Sequence, residues 1–203
     1  MTGKILSLIT FGILLPLQCL AANVNISLNP SAATLTFGDH AFVDIVGTYD
    51  GIGKLLGGAI SLNYRADMLQ VVGVTLKASS DVGGTVGSVL VSGTSGTVSG
   101  IGFATFSGVT GTFDLATVEF MALGTSGNGI LSAFDPGDPV YAWVNEVFDS
   151  VSVISTPTSI TVSAVPEATS MAMLLAGLGV LGAVVHSKHR RSSRPYHPRP
   201  PQS

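Results

Sequence analysis

The chain has 203 residues, 46% of them hydrophobic and only 10% charged, a length that suits one or two domains and an apolar content that excludes global disorder. Its net charge of −3 is unevenly spread: residues 23–165 carry eleven acids against Lys54, Arg65 and Lys77, net −8, whereas residues 166–203 carry five bases against Glu167, net +4. An acidic middle excludes a nucleic-acid binder, because phosphate contact needs clustered Lys and Arg.

Residues 1–22 read as a secretory signal peptide. Lys4 supplies the positive start, Ile5 to Leu17 the apolar stretch, and Leu20-Ala21-Ala22 the small-residue end, so cleavage is expected between Ala22 and Asn23. Cys19 is preceded by Gln18 rather than the small residue a lipobox wants. Cleavage after Ala22 removes the one cysteine in the chain, which leaves the mature protein no disulfide, thiol chemistry or Cys-based zinc site.

Residues 23–164 read as one all-β domain. Period-two alternation recurs: Val24, Ile26, Leu28; Ala33, Leu35, Phe37; Ala41, Val43, Ile45 after a Gly38-Asp39 turn; Ile60, Leu62, Tyr64; and Ala116, Val118, Phe120, Ala122. Further strands are expected at Leu69–Leu76, Val86–Val91, Val98–Phe106, Ile130–Phe134, Val151–Ile154 and Ile160–Val162. About nine short strands with Gly-rich turns predict an antiparallel β-sandwich. Gly57-Gly58 and Gly100-x-Gly102 suggest bulges or close sheet contacts.

The C-terminus has three parts. Val165-Pro166-Glu167-Ala168 precedes an apolar run, Met171 to Val185, and then a basic tail with Lys188, Arg190, Arg191, Arg194 and Arg199. A helix over 169–185 would barely span a ~30 Å hydrocarbon core, and positive charge keeps residues 186–203 cytoplasmic.

This end, residues 165–194, resembles the PEP-CTERM sorting signal of Gram-negative bacteria, in which Pro-Glu-Pro precedes a short apolar helix and an Arg-rich end; Ala168 stands at the second proline. The signal peptide implies export by the Sec machinery; the resemblance implies transit through the inner membrane, processing by an exosortase at Val165–Ala168, and a destination at the cell surface or in the extracellular matrix. The middle resembles the cohesin domain in Gly38-Asp39, in Tyr64 to Leu69 and in Leu115 to Phe120, with Arg65-Ala66 where that family has Asp-Pro. It implies a nine-stranded jelly roll related to carbohydrate-binding modules; cohesins bind dockerins through one sheet face.

The candidate chemistry is sparse. No Gly-x-Ser-x-Gly occurs, and His40 reads as a surface histidine beside a turn. Asp114 and Glu119, five apart on a strand, would lie roughly 16 Å apart on opposite faces, too far for a glycosidase pair. Asp135 and Asp138, in Asp-Pro-Gly-Asp-Pro, could offer oxygen ligands to calcium but equally serve as turn formers; no cofactor is otherwise expected. Tyr141, Trp143 and Phe148 form the most aromatic stretch; exposed, Tyr141 and Trp143 could stack on sugar rings, and core packing is the competing reading. His186, His189 and His197 fit a polar tail. The expected function is a non-enzymatic structural or adhesive protein of the extracellular polysaccharide matrix, whose partner is a polysaccharide or a surface protein. A carbohydrate-binding module is the alternative, and a secreted glycan hydrolase the weaker one.

Overall fold

Period-two alternation makes one face of each strand apolar, and the computed structural model buries those faces between two sheets. It describes residues 22–78, 81–137, 139–164 and 172–181. The strands are β1 (Asn23–Pro30), β2 (Thr34–Thr36), β3 (His40–Tyr49), β4 (Leu55–Arg65), β5 (Leu69–Leu76), β6 (Gly83–Thr85), β7 (Val89–Ser92), β8 (Ser95–Val109), β9 (Gly111–Ala122), β10 (Gly127–Phe134), β11 (Val144–Asn145), β12 (Ser152–Ser155) and β13 (Thr158–Ser163). A 3-10 turn, Pro139–Tyr141, precedes β11, and residues 172–181 are helical.

One sheet has the order β12-β1-β3-β9-β5 and the other β2-β13-β10-β4-β8-β6, with β11 beside β4 and β7 beside β8. Pairing is antiparallel except for β1 with β12 and β13 with β2. Both parallel pairs involve the last segment of the sandwich. Pro157, which has no N–H, interrupts the terminal segment; its first half lies along β1 and its second crosses to the other sheet. Interruption also raises the strand count above nine. The expected strand Val86–Val91 is split, because Gly87 donates to the Ser99 carbonyl at 2.9 Å and the Ser88 carbonyl accepts from Ser99 at 3.0 Å between β6 and β7.

Val24, Ile26, Leu28, Ala41, Val43, Ile45, Ile60, Leu62, Val118 and Phe120 are buried as the alternation requires. Each larger side chain contributes about 1.5–3 kcal/mol on full burial. Tyr64 on β4 meets Phe120 on β9 edge to face, with ring centroids 5.4 Å apart.

The alternation breaks at several places, among them Phe37 and β9. Phe37 is 62% exposed rather than buried, because β2 ends at Thr36 and the chain reverses at Gly38, φ 83°. Asp39 fixes that turn by accepting from the Thr36 amide at 2.8 Å and its hydroxyl at 2.6 Å. On β9 the register shifts opposite Ile45 and Val46, and Leu115 and Ala116 are both buried. That bulge puts Asp114 and Glu119 on the same outer face, not on opposite ones. They remain roughly five strand residues apart, and Glu119 instead meets His40 Nδ1 at 2.7 Å.

Candidate binding groove

A cavity of about 460 Å³ lies between β4, β6, β8 and the segment that carries the 3-10 turn and β11. Gly57, Gly58, Gly83, Gly84 and Gly102 line it; at Gly83 a Cβ would meet open space, whereas at the other four it would run into Phe103, Trp143, Leu76 and Ala59. Its rim is apolar and aromatic: Val82, Phe106, Val140, Tyr141 and Phe148. Phe106 is 84% exposed and Phe148 79%. Clustered exposed aromatics around a concavity are the usual mark of a binding surface.

Both rim phenylalanines are held in place. Asp81 Oδ1 accepts from the Phe106 amide at 2.8 Å, and Oδ2 accepts from the Ser107 amide at 3.1 Å and hydroxyl at 2.8 Å. The Thr105 hydroxyl, then the Ser107 hydroxyl and the two amides, hold the Asp81 carboxyl far below the usual carboxylate range. On the other side, buried Asn145 Oδ1 accepts from the amides of Val147 at 3.1 Å and Asp149 at 2.9 Å, while its carbonyl accepts from Phe148 at 2.9 Å. This turn keeps Phe148 at φ 63°, the left-handed region, a strain of about 1–3 kcal/mol that the surrounding hydrogen bonds must outweigh.

Of the two residues that could stack on sugar if exposed, only Tyr141 is at the groove, half-buried at the end of the 3-10 turn. Trp143 is not a stacking platform. It is 1% exposed, donates Nε1–H to the Ala59 carbonyl at 2.8 Å, and packs near the rings of Phe103 and Phe113 at 6.1 and 6.5 Å. Tyr141 and Trp143 share no strand face, because β11 starts only at Val144. The indole occupies the space over Gly58, where any Cβ would overlap it. Sequence reasoning passes over Phe106, Asp81 and Asn145. The available signal for Phe106 is its phase: it falls off the two-residue period of buried Ile101 and Phe103.

Asp135 Oδ1 accepts from the Gly137 amide at 2.8 Å, as a turn former does, and Asp138 lies outside the described residues. No group of three His, Cys, Asp or Glu side chains gathers among the described residues. At the expected cleavage point, Ala22 packs against the core and its carbonyl accepts from the Ser152 amide at 3.2 Å; Asn23 opens β1. Val165, Pro166, Glu167 and Ala168 lie outside the described residues, as do residues 1–21. Of the run expected to span the membrane, 172–181 is described and helical, about 15 Å of axis. Among the described residues no helix is long and apolar enough to cross a membrane.

Residues 164–191 match the PEP-CTERM protein-sorting motif. The sandwich before that motif is cohesin-like. The seventh ScaB type I cohesin from Pseudobacteroides cellulosolvens superposes with a TM-score of 0.55 at 15% identity, covering 72% of this chain and 96% of that one. The cohesin module of a family 33 glycoside hydrolase from Clostridium perfringens gives 0.52 at 10% identity, covering 71% and 98%. The sixth cohesin of scaffoldin B from Acetivibrio cellulolyticus, solved in complex with a Cel5 dockerin mutant, gives 0.51 at 14% identity, covering 70% and 99%. At these identities the likeness is one of fold. No curated protein matches the chain.

Proposed function

We propose that this chain is a non-enzymatic binding protein of the extracellular polysaccharide matrix, and that its aromatic groove holds glycan. The observation that carries the reading is the groove itself, on a sandwich followed directly by the sorting motif. Phe106, Tyr141 and Phe148 offer ring faces to the C–H faces of sugars, and the Thr85 and Tyr141 hydroxyls supply hydrogen bonds. Among the described residues, the groove lining carries no carboxylate, so the paired carboxylates of glycoside hydrolysis have no counterpart there. Binding in this reading needs no cofactor, and it persists in EDTA.

Export follows from the two ends. The Sec machinery takes residues 1–22, cleavage follows Ala22, and 169–185 holds the chain in the inner membrane with 186–203 inside. An exosortase then cuts near Val165–Ala168 and passes the domain to the surface. Intact mass of the protein in membrane and surface fractions tests this. A surface species of residues 23 to about 168 supports it, and a surface form that keeps residues 171–203 overturns it. For the groove, affinity electrophoresis in gels cast with the cells' own exopolysaccharide should show retardation that Phe106→Ala and Phe148→Ala abolish.

The aliphatic part of the rim, Val82 and Val140, favours a second reading, in which the groove takes the apolar side chains of a surface protein. The dockerin complex of the scaffoldin B cohesin supports a protein partner. No retardation in polysaccharide gels, with a protein partner lost in Phe148→Ala, would decide for it.

A further inference from the structure

The open edge of the eight-stranded sheet has an unusual composition. β6 and β7 both run along the same side of β8, and no strand pairs with the far edge of β7 among the described residues. From Val82 to Phe113 the sequence has no charged residue and no proline. Val89, Leu90 and Val91 are all exposed, Leu90 at 62%. Sheet edges are normally protected by charge, proline, a bulge or shortness; this edge has a bulge where Gly87 and Ser88 both face Ser99, but β7 itself carries neither charge nor proline. β5, an edge of the other sheet, has a bulge between Val71 and Gly73 and is followed by Lys77, which pairs with Asp44 at 2.8 Å.

We propose that β7 pairs antiparallel with β7 of a second copy of this chain and joins two sandwiches into one continuous sheet. Register and charge argue for a second copy. The two-residue turn Gly93-Thr94 closes Ser92 against Ser95, and from there hydrogen-bonded pairs alternate along the hairpin. Leu90 and Ser88 therefore turn their backbone groups toward β8, as the Ser99 amide to Ser88 carbonyl bond at 3.0 Å attests. Val89 and Val91 turn theirs outward. A two-fold axis at Leu90 sets Val89 against Val91 of the other copy, so both outward residues find backbone partners. Leu90 then faces its own copy on one sheet face, and valines meet on the other. Such an interface is isologous and closes on itself. Residues 23–165 carry net −8, so two copies repel over most of their surface, whereas the stretch Val82–Phe113 brings no acid to the contact.

The test uses the full chain in detergent with Cys19→Ser, so that an introduced cysteine stands alone. Leu90→Cys should cross-link between copies under mild oxidation, because directly opposed strand residues lie within disulfide reach. Ile130→Cys on β10, also exposed, should not. Leu90→Lys sets two like charges face to face and should weaken dimerisation by at least about tenfold in sedimentation equilibrium, with circular dichroism unchanged. Cross-linking of Leu90→Cys no faster than Ile130→Cys overturns the proposal. So does an undiminished dimer in Leu90→Lys, which would place the contact elsewhere, or protection of the edge by a different protein only.

Discussion

Asn23 donates its backbone N–H to Asp50 Oδ1 at 2.8 Å, and Asp50 returns its own N–H to the Asn23 carbonyl at 3.2 Å. Cleavage after Ala22 would turn that amide nitrogen into an α-ammonium already in contact with a carboxylate. The processed chain thus gains an ion pair where the precursor has a neutral hydrogen bond. Being exposed, the pair should contribute a few tenths to about 1 kcal/mol. Asp50→Asn should lower the melting temperature of the processed protein by roughly 1–3 °C, and high salt should shrink the difference. Thermal scans of both proteins at low and high salt check this.

Trp143 belongs to the core, so its substitution should act on stability. Trp143→Ala removes the largest buried ring and leaves the Ala59 carbonyl without its 2.8 Å donor, at a cost of about 3–5 kcal/mol. Trp143→Phe keeps much of the volume and should cost less. Urea unfolding of both variants measures the difference. A Trp143→Ala protein as stable as the parent would put the indole back on the surface.

The sandwich is legible in the sequence because alternation reports a one-sided core directly: Val24 to Leu28 and Val118 to Ala122 are buried as their spacing predicts. The groove is not, for three physical reasons. The cavity is lined from β4, β6, β8 and the segment with the 3-10 turn, which only tertiary structure brings together. Trp143 and Phe148 are five residues apart with similar local composition, and only tertiary packing sends one inward and the other out. Asp81 acts on Phe106 and Ser107 across a sequence gap that no local pattern spans. The bulge at Leu115 likewise reverses the facing of Asp114 without any proline or glycine beside it to announce it.

Phe148 offers a way to separate binding from folding. Its positive φ disfavours any residue with a Cβ, so Phe148→Gly should leave stability unchanged or raise it by up to about 1 kcal/mol while removing the ring. Asn145→Ala should do the reverse first: two amides lose their acceptor, stability falls by about 1–3 kcal/mol, and the rim loosens. Melting temperature beside gel retardation reads both. A Phe148→Gly protein that still binds polysaccharide would remove the ring from the groove's function.

Acid should reach the groove late. Folding holds the Asp81 carboxyl below its ordinary value of 3.8, chiefly through the Thr105 hydroxyl and then that of Ser107. A depressed carboxyl contributes its stabilisation fully above that ordinary value and loses it only as pH falls through the lower folded one. Asp39, Asp44 and Asp67 are also held low, by Thr36, by Lys77 and by Arg65, so global unfolding in acid sums several groups. Groove binding isolates Asp81, the one that anchors Phe106. Retardation should therefore stay flat from neutral pH through 3.8 and decline only as pH falls on toward the lower folded value. Asp81→Asn cannot make the same set of charged acceptor bonds; it should bind more weakly at neutral pH and lose most of the further decline in acid. Titrating both proteins by affinity electrophoresis decides the matter, since an Asp81→Asn profile that parallels the parent throughout would detach the carboxylate from the groove.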